Sequence, residues 1–268
     1  MALYLFPPAD DPGPNFVELL RRAHPGVALP GTSTPLAEVP QATTIAALRY
    51  AGGVVVAGDR RATEGVAIAH RSIEKVFPAD RFSAVAIAGA AGPAIEMVRL
   101  FQVQLEHYEK VEGAVLTLEG KANQLAQLVR DHLPMAMQGL GVVPLFAGWD
   151  AIRQTGRIFT YDLTGGRYEE TDFHATGSGG RDAKTTIKLG FREDLTRIEG
   201  VELAVESLYE AADEDSATGG PDPVRGIYPI IATVDSTGFT RLEDGEVAER
   251  FAAILARRGT GASGGDRR

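Results

Sequence analysis

Two adjacent hydroxyls, Thr43 and Thr44, head an apolar run, "TTIAALRYAGGVVVAGDRRAT" (Thr43–Thr63). A threonine hydroxyl is a poor nucleophile unless a base lies within hydrogen-bond reach, roughly 2.6–3.2 Å. The chain has no cysteine, and none of its five histidines, His24, His70, His107, His132 and His174, sits in a triad-like context. Surface or core filling suits each of them better. A cut before Thr43 changes the problem: the freed α-amine, with an unperturbed pKa of roughly 7.7–8.0, becomes a base on the nucleophile's own residue. A threonine pair at a strand start is otherwise an ordinary structural feature, so this reading depends on its neighbours.

Asp59, in "AGDRR", closes the second β-like run, and a hairpin would swing it back beside the start of the first. Lys75, in "RSIEKVF", lies in another short β-like segment. An ammonium near Thr43 would lower the hydroxyl's pKa, and an aspartate beside it would hold that ammonium charged. Each has a plainer role when taken alone, Asp as turn former and Lys as solvated surface. Gly89, ending "VAIAGAAG", offers a backbone N–H to a developing oxyanion or merely turns a strand into a helix. "ATGSGG" (Ala175–Gly180) and "DEDSATGGPD" (Asp213–Asp222) are polar, glycine-punctuated loops that bring carboxylates or hydroxyls to a site, or simply turn.

These residues need a scaffold. "TTIAALRY" and "GVVVAGD" flank Ala51-Gly52-Gly53 as a predicted hairpin, and "FSAVAIAG" (Phe82–Gly89) reads as a third strand. Pro93 suits a first helical turn; Ala94, Val98, Phe101, Leu105 and Tyr108 then recur at helical spacing down to Gly113. A second helix is expected from Leu118, capped by Thr117, with Pro134 kinking or ending it. Strands follow at Val142–Asp150, Arg157–Leu163 and "GGRYEET", helices at Ala183–Leu189 and Val201–Ala212, a hairpin "YPIIATVD"/"GFTRL", and a helix over Asp244–Arg258. Paired hairpins make antiparallel sheets, and the amphipathic helices need a sheet face to cover. A four-layer αββα sandwich of the α+β class satisfies both.

Residues 1–42 hold eight of the chain's 15 prolines, from Pro7 to Pro40, a spacing that forbids long helices and strands. They read as a leader, residues 43–258 as the folded domain, and 259–268 as a loose Gly-rich tail. A net charge of −9 argues against nucleic acid or an anionic membrane as partner. No stretch approaches the roughly 20 apolar residues of a membrane span, and the absence of cysteine fits the reducing cytoplasm. No metal or cofactor is expected. A nucleotide-binding reading of "TGSGGRDAK" is weak, because it lacks the GxxxxGK[ST] spacing.

Together, "TTIAALRYAGGVVVAGDRRAT", "EKVF", "AIAGAAG", "RLFQVQLEHYEK" and "ESLYEAADEDSATGGPDPVRGIYP" closely resemble the β subunit of the 20S proteasome in its actinobacterial form. The likeness runs from Thr43 to about residue 255, with separate motifs in family order. HslV peptidase shares the Thr-Thr start and the Gly-Asp strand end, but lacks anything like "DEDSATGGPD". The resemblance implies an N-terminal nucleophile hydrolase fold and a threonine endopeptidase. Position by position, Thr43 matches the nucleophile, Asp59 and Lys75 its charged partners, and Gly89 the oxyanion-hole amide. Ser178 matches the serine of the family's Gly-Ser-Gly loop, and Asp215 and Thr218 match the acidic and hydroxyl residues lining the amine side, where the family commonly has serine at the latter position. Ala62, Ile73, Phe77, Ile87, Ala91 and Ile95 fall where the family builds its S1 pocket, implying cleavage after hydrophobic residues.

By the same likeness, residues 1–42 are a propeptide removed by self-cleavage between Ala42 and Thr43. The family implies α subunits and further β subunits in stacked seven-membered rings, an ATP-dependent unfoldase ring, and unfolded or modifier-tagged substrates. Two departures stand out: Ala42 replaces the family's usual glycine, and Ala90-Ala91 replace a hydroxyl residue found in many relatives. If processing needs a positive φ at position 42, a Cβ there costs roughly 1–2 kcal/mol. The alternative class is a non-catalytic ring subunit of the same fold.

Overall fold

The computed structural model describes residues 43–65 and 67–262, with side chains as far as Arg258. The leader, including Ala42, and residues 263–268 lie outside the described residues. Among the described residues twelve strands form in chain order: β1 (Thr44–Tyr50), β2 (Gly53–Gly58), β3 (Ala62–Glu64), β4 (Ala67–His70), β5 (Val76–Asp80), β6 (Ser83–Gly89), β7 (Val142–Asp150), β8 (Thr155–Tyr161), β9 (Arg167–Glu170), β10 (Phe173–Gly177), β11 (Ile230–Asp235) and β12 (Gly238–Arg241). The helices are α1 (Ala91–Glu112), α2 (Leu118–Asp131), α3 (Leu133–Ala136), α4 (Gly180–Gly190), α5 (Arg197–Glu214) and α6 (Asp244–Ala262). One five-stranded antiparallel sheet runs β10-β1-β2-β11-β12 and the other β5-β6-β7-β8-β9; β3 and β4 make a separate ribbon.

Strand periodicity sorts the core into three layers. Ile45, Ala47, Val54, Val56, Ala84, Ala86, Leu145, Ile158 and Ile230 meet between the sheets. Their neighbours one residue along, including Leu48, Val55, Ala57 and Ile231, pack under α4, α5 and α6. On the second sheet Val85, Ile87, Phe146 and Phe159 pack under α1 and α2. Because both faces of each sheet are covered, the strands read as continuous apolar runs, not as alternating ones. Small residues let the sheets approach: a Cβ on Gly156 would lie 2.6 Å from the Gly53 carbonyl carbon. This is the expected αββα sandwich.

Most helix ends follow the sequence signals. Thr117 caps α2 by accepting from the Gly120 N–H at 3.1 Å. Gly113 ends α1 in the left-handed region at φ +68. Pro134 sits in the first turn of α3, which follows α2 after a single intervening residue. Three features depart from expectation. The β3–β4 ribbon was not legible, β10 replaces what reads as the start of a polar loop, and α6 continues past Arg258 to Ala262.

Candidate active site

The β1–β2 hairpin returns the chain so that Ile45 pairs with Gly58. Asp59 therefore arrives beside Thr44, and the two backbones lock: Thr44 N–H donates to Asp59 Oδ1 at 2.8 Å, and Asp59 N–H to the Thr44 carbonyl at 3.1 Å. Lys75 Nζ donates to Asp59 Oδ1 at 2.6 Å and to the Arg61 carbonyl at 2.5 Å. Asp59 Oδ2 accepts from Arg61 N–H and Gly219 N–H, both at 2.8 Å. The pair is sealed, with side chains 3% (Lys75) and 0% (Asp59) exposed. Burial pushes the Lys75 pKa below the ordinary lysine value, with Asp59 pulling it back up and Arg61 adding to the downward push.

On the other side of Thr43, β10 pairs with β1 so that Thr44 faces Gly177. The Thr43 carbonyl accepts from Ser178 N–H at 2.9 Å and faces Ser178 Oγ at 3.4 Å. Gly177 has φ +99, and a Cβ there would lie 1.8 Å from the Thr43 carbonyl oxygen, so only glycine fits. Asp215, capping the C-terminus of α5, accepts from Thr218 Oγ1 at 2.6 Å, from Ala217 N–H at 3.0 Å and from the Ser178 side chain. Burial raises the Asp215 pKa, but those hydrogen bonds and the charge of Arg61 outweigh it and leave the carboxyl below its ordinary value.

Thr44 joins the two sides, a role that the sequence reading did not assign to it. Its hydroxyl accepts from Gly179 N–H at 2.9 Å and lies 2.6 Å from Thr218 Oγ1. Since Thr218 donates to Asp215, the Thr44 hydroxyl donates to Thr218. Thr44 and Thr218 are both fully buried, so this relay ties the strand carrying Thr43 to the Asp215 turn. The doubled threonine was its only sequence signal.

A cleft enclosing about 300 Å³, open solvent at its mouth included, lies against Thr43. Thr43, Lys75 and Gly89 line it together with Ala62, Ile73, Ile87, Ala91 and Ile95. Gly89 adopts φ +110, and a Cβ there would lie 2.1 Å from the Gly141 carbonyl oxygen. Ala94 and Glu74 also line the cleft and were not anticipated. Phe77 does not line it. Residues 71–75 are not strand and β5 begins at Val76, so the alternation that would align Ile73, Lys75 and Phe77 breaks. Phe77 instead pairs with Val85 and packs toward the α1–α2 core.

Thus Thr43, Asp59, Lys75, Gly89, Ser178, Asp215 and Thr218, drawn from six separate segments, converge around one residue. Among the described residues no group of three or more His, Cys, Asp or Glu could hold a metal ion, and no helix is long and apolar enough to cross a membrane.

Known proteins carry the same framework. Residues 39–224 match the family described as "Proteasome subunit". A "Proteasome subunit beta" of Acidimicrobium ferrooxidans is 64% identical over 250 residues, covering 93% of this chain and 92% of its own. Proteins of the same name from Streptomyces griseus and Acidothermus cellulolyticus are 55% and 54% identical, over 91% and 94% of this chain and 88% and 90% of theirs. With a family match over residues 39–224 and relatives 54% to 64% identical over 91% to 94% of its length, the chain belongs to the proteasome family, among the β subunits of the actinobacterial type.

Proposed function

We propose that this is a catalytic β subunit of a 20S proteasome: an N-terminal threonine endopeptidase that cleaves itself before Thr43 and hydrolyses unfolded proteins after hydrophobic residues. The observation that carries this reading is Thr43 lining a mainly apolar cleft together with Lys75, whose ammonium is held by the buried Asp59 carboxylate. An amide nitrogen is no base, so the leader keeps Thr43 silent while attached. In self-cleavage Thr43 Oγ attacks the Ala42 carbonyl and its proton passes through water to the Thr43 nitrogen. The C–N bond breaks, freeing the amine and leaving the leader as an ester on Oγ, which water then hydrolyses to release the leader and restore the hydroxyl.

In turnover the Thr43 α-amine takes the Oγ proton as Oγ attacks the scissile carbonyl. The Lys75 ammonium favours the alkoxide, and the Gly89 N–H stabilises the developing oxyanion. Collapse expels the leaving amine, which takes the proton from the Thr43 ammonium. Water then adds to the acyl ester with the same amine as base, releasing the acid and restoring Oγ. Ser178, Asp215 and Thr218 orient the amine. The cleft walls Ala62, Ile73, Ile87, Ala91 and Ile95 form the S1 pocket. The proposal extends to assembly with α and β subunits in stacked seven-membered rings, as the family likeness implies. An ATP-dependent unfoldase ring feeds them modifier-tagged chains in the cytoplasm.

Ala42 is the one observation favouring the second reading, a ring subunit that does not process itself. Mass analysis of the chain co-expressed with its α partner separates the two. A mature chain beginning at Thr43, labelled there by an epoxyketone, is expected, with Thr43→Ala retaining its leader and staying unlabelled. Ala42→Gly should mature up to about tenfold faster, since 1.36 kcal/mol is a decade in rate. Leu or Tyr at P1 should be cleaved faster than Arg or Glu. Full-length chains alone, with no labelling, would overturn the proposal in favour of a non-catalytic ring subunit.

A further inference from the structure

Beside the Asp59 loop lies a second pocket of about 340 Å³, open solvent included, lined by Arg60, Arg61, Arg71, Gly220, Asp222 and Tyr228. Three guanidinium groups around one small space repel each other unless anions compensate them. Two of the nearby carboxylates are already engaged. Asp222 accepts from Arg225 Nη1 at 2.7 Å and from Arg225 N–H at 3.1 Å, while Asp244 accepts from Arg60 Nη2 at 2.6 Å. That leaves the Arg61 guanidinium donating to a carbonyl, that of Ser216 at 2.7 Å, with Asp215 feeling its charge but not hydrogen-bonded to it, and Arg71 exposed with no partner among the described residues. Arg60 Nε is buried and likewise has no hydrogen-bond acceptor among them.

We propose that this pocket binds an oxyanion, a carboxylate or a phosphate group, on Arg60, Arg61 and Arg71. Guanidinium forks present paired donors matched to the oxygens of such groups. Two of the three are anchored in place: the Arg61 N–H and Gly219 N–H both donate to Asp59, and Arg60 is tied to the start of α6 through Asp244. The same residues thus carry the pocket on one side and the Asp59–Lys75 pair on the other, since the Arg61 carbonyl accepts from Lys75. The occupant is either a free anion or an acidic side chain of a neighbouring copy; the chemistry is shared.

Titration of the full-length chain with inorganic phosphate at constant ionic strength, followed by 31P line broadening, tests this directly. Saturable binding near roughly 1 mM is expected from two or three charge-assisted bonds at a solvated site. Arg71→Ala should weaken it about tenfold, and Arg153→Ala, a surface arginine elsewhere, should leave it unchanged. The titration is then repeated on the assembled particle. Binding retained there assigns the site to a free anion; binding seen only in the isolated chain assigns it to a carboxylate from a neighbouring copy. Absence of saturable binding in both forms, or equal binding by Arg71→Ala, overturns the proposal. The readout is binding, so it stands apart from the peptidase reading.

Discussion

Lys75–Asp59 and Lys121–Asp80 are both lysine–aspartate pairs taken out of water, with side chains 3%/0% and 4%/19% exposed. The second pins α2 to β5, its carboxylate also accepting from Phe82 N–H at 3.0 Å and Ser83 Oγ at 2.6 Å. The first has the same pairing, with a more deeply buried carboxylate, but it borders a cleft lined by Thr43, the proposed nucleophile, and its aspartate also gathers the backbone N–H groups of Thr44, Arg61 and Gly219. Burial of an ion pair is therefore no mark of catalysis. What sets the first pair apart is its position beside the proposed reacting group, because the ammonium's field falls with distance and is least screened across a dry, low-dielectric wall.

The comparison breaks most sharply if each lysine is replaced by methionine. Lys75→Met leaves Asp59 buried and unpaired, costing roughly 3–5 kcal/mol of stability, and should lower peptidase kcat by about 10²–10⁴. Lys121→Met leaves the more accessible Asp80, costs about 1–3 kcal/mol, and should leave kcat within about twofold. Urea midpoints and peptide turnover on the assembled particle measure both. Equal loss of activity in the two variants would erase the distinction.

Gly177→Ala asks whether geometry or charge sets the site. The added Cβ meets the Thr43 carbonyl at positive φ, so a loss of roughly 1–3 kcal/mol, together with reduced turnover, is expected with every charged group intact. Thr44→Val removes the link from β1 to Thr218 and should lower kcat about tenfold with KM little changed; Thr44→Ser, which keeps the hydroxyl, should restore it. Failure of serine to rescue would mean that Thr44 acts through packing alone.

The smallest effect belongs to a third charged cluster, His174 with Glu170 at 3.1 Å and Lys184 at 3.2 Å. Burial, then the Lys184 charge, lowers the His174 pKa against the pull of Glu170. A histidine depressed in the folded state resists protonation there, so stability is full above the unfolded value near 6.5 and falls as pH drops below it. His174→Gln should flatten the urea-midpoint profile below about pH 6.5. An unchanged profile would show that another group titrates.

Much of the site was legible in the chain. The Ala51-Gly52-Gly53 turn between two apolar runs places Asp59 beside the start of the first strand by local hairpin geometry alone, and the structure has it there. What escaped reading depends on distant partners. "FHATG" has too little apolar pattern to declare a strand, and becomes β10 only because β1, some 130 residues earlier, offers an open edge. Phe77, expected in the cleft from the family likeness, does not line it, because regular pairing starts one residue after Lys75 and turns Phe77 toward Val85 and the helices.

By itself, the order of residues determined the covalent chemistry on offer and the local turns: the paired threonines, the absence of cysteine, the hairpin that returns Asp59, and the caps at Thr117 and Gly113. Only the tertiary structure decided which of many charged and hydroxyl groups would meet. Lys75 reaches Thr43 across some thirty residues, and Ser178, Asp215 and Thr218 across more than a hundred, through sheet pairings and loop closures, and the same closures leave Phe77 out and bring Thr44 in. Local propensity acts over a few residues, whereas convergence on one point requires both sheets to be stacked and their faces buried first.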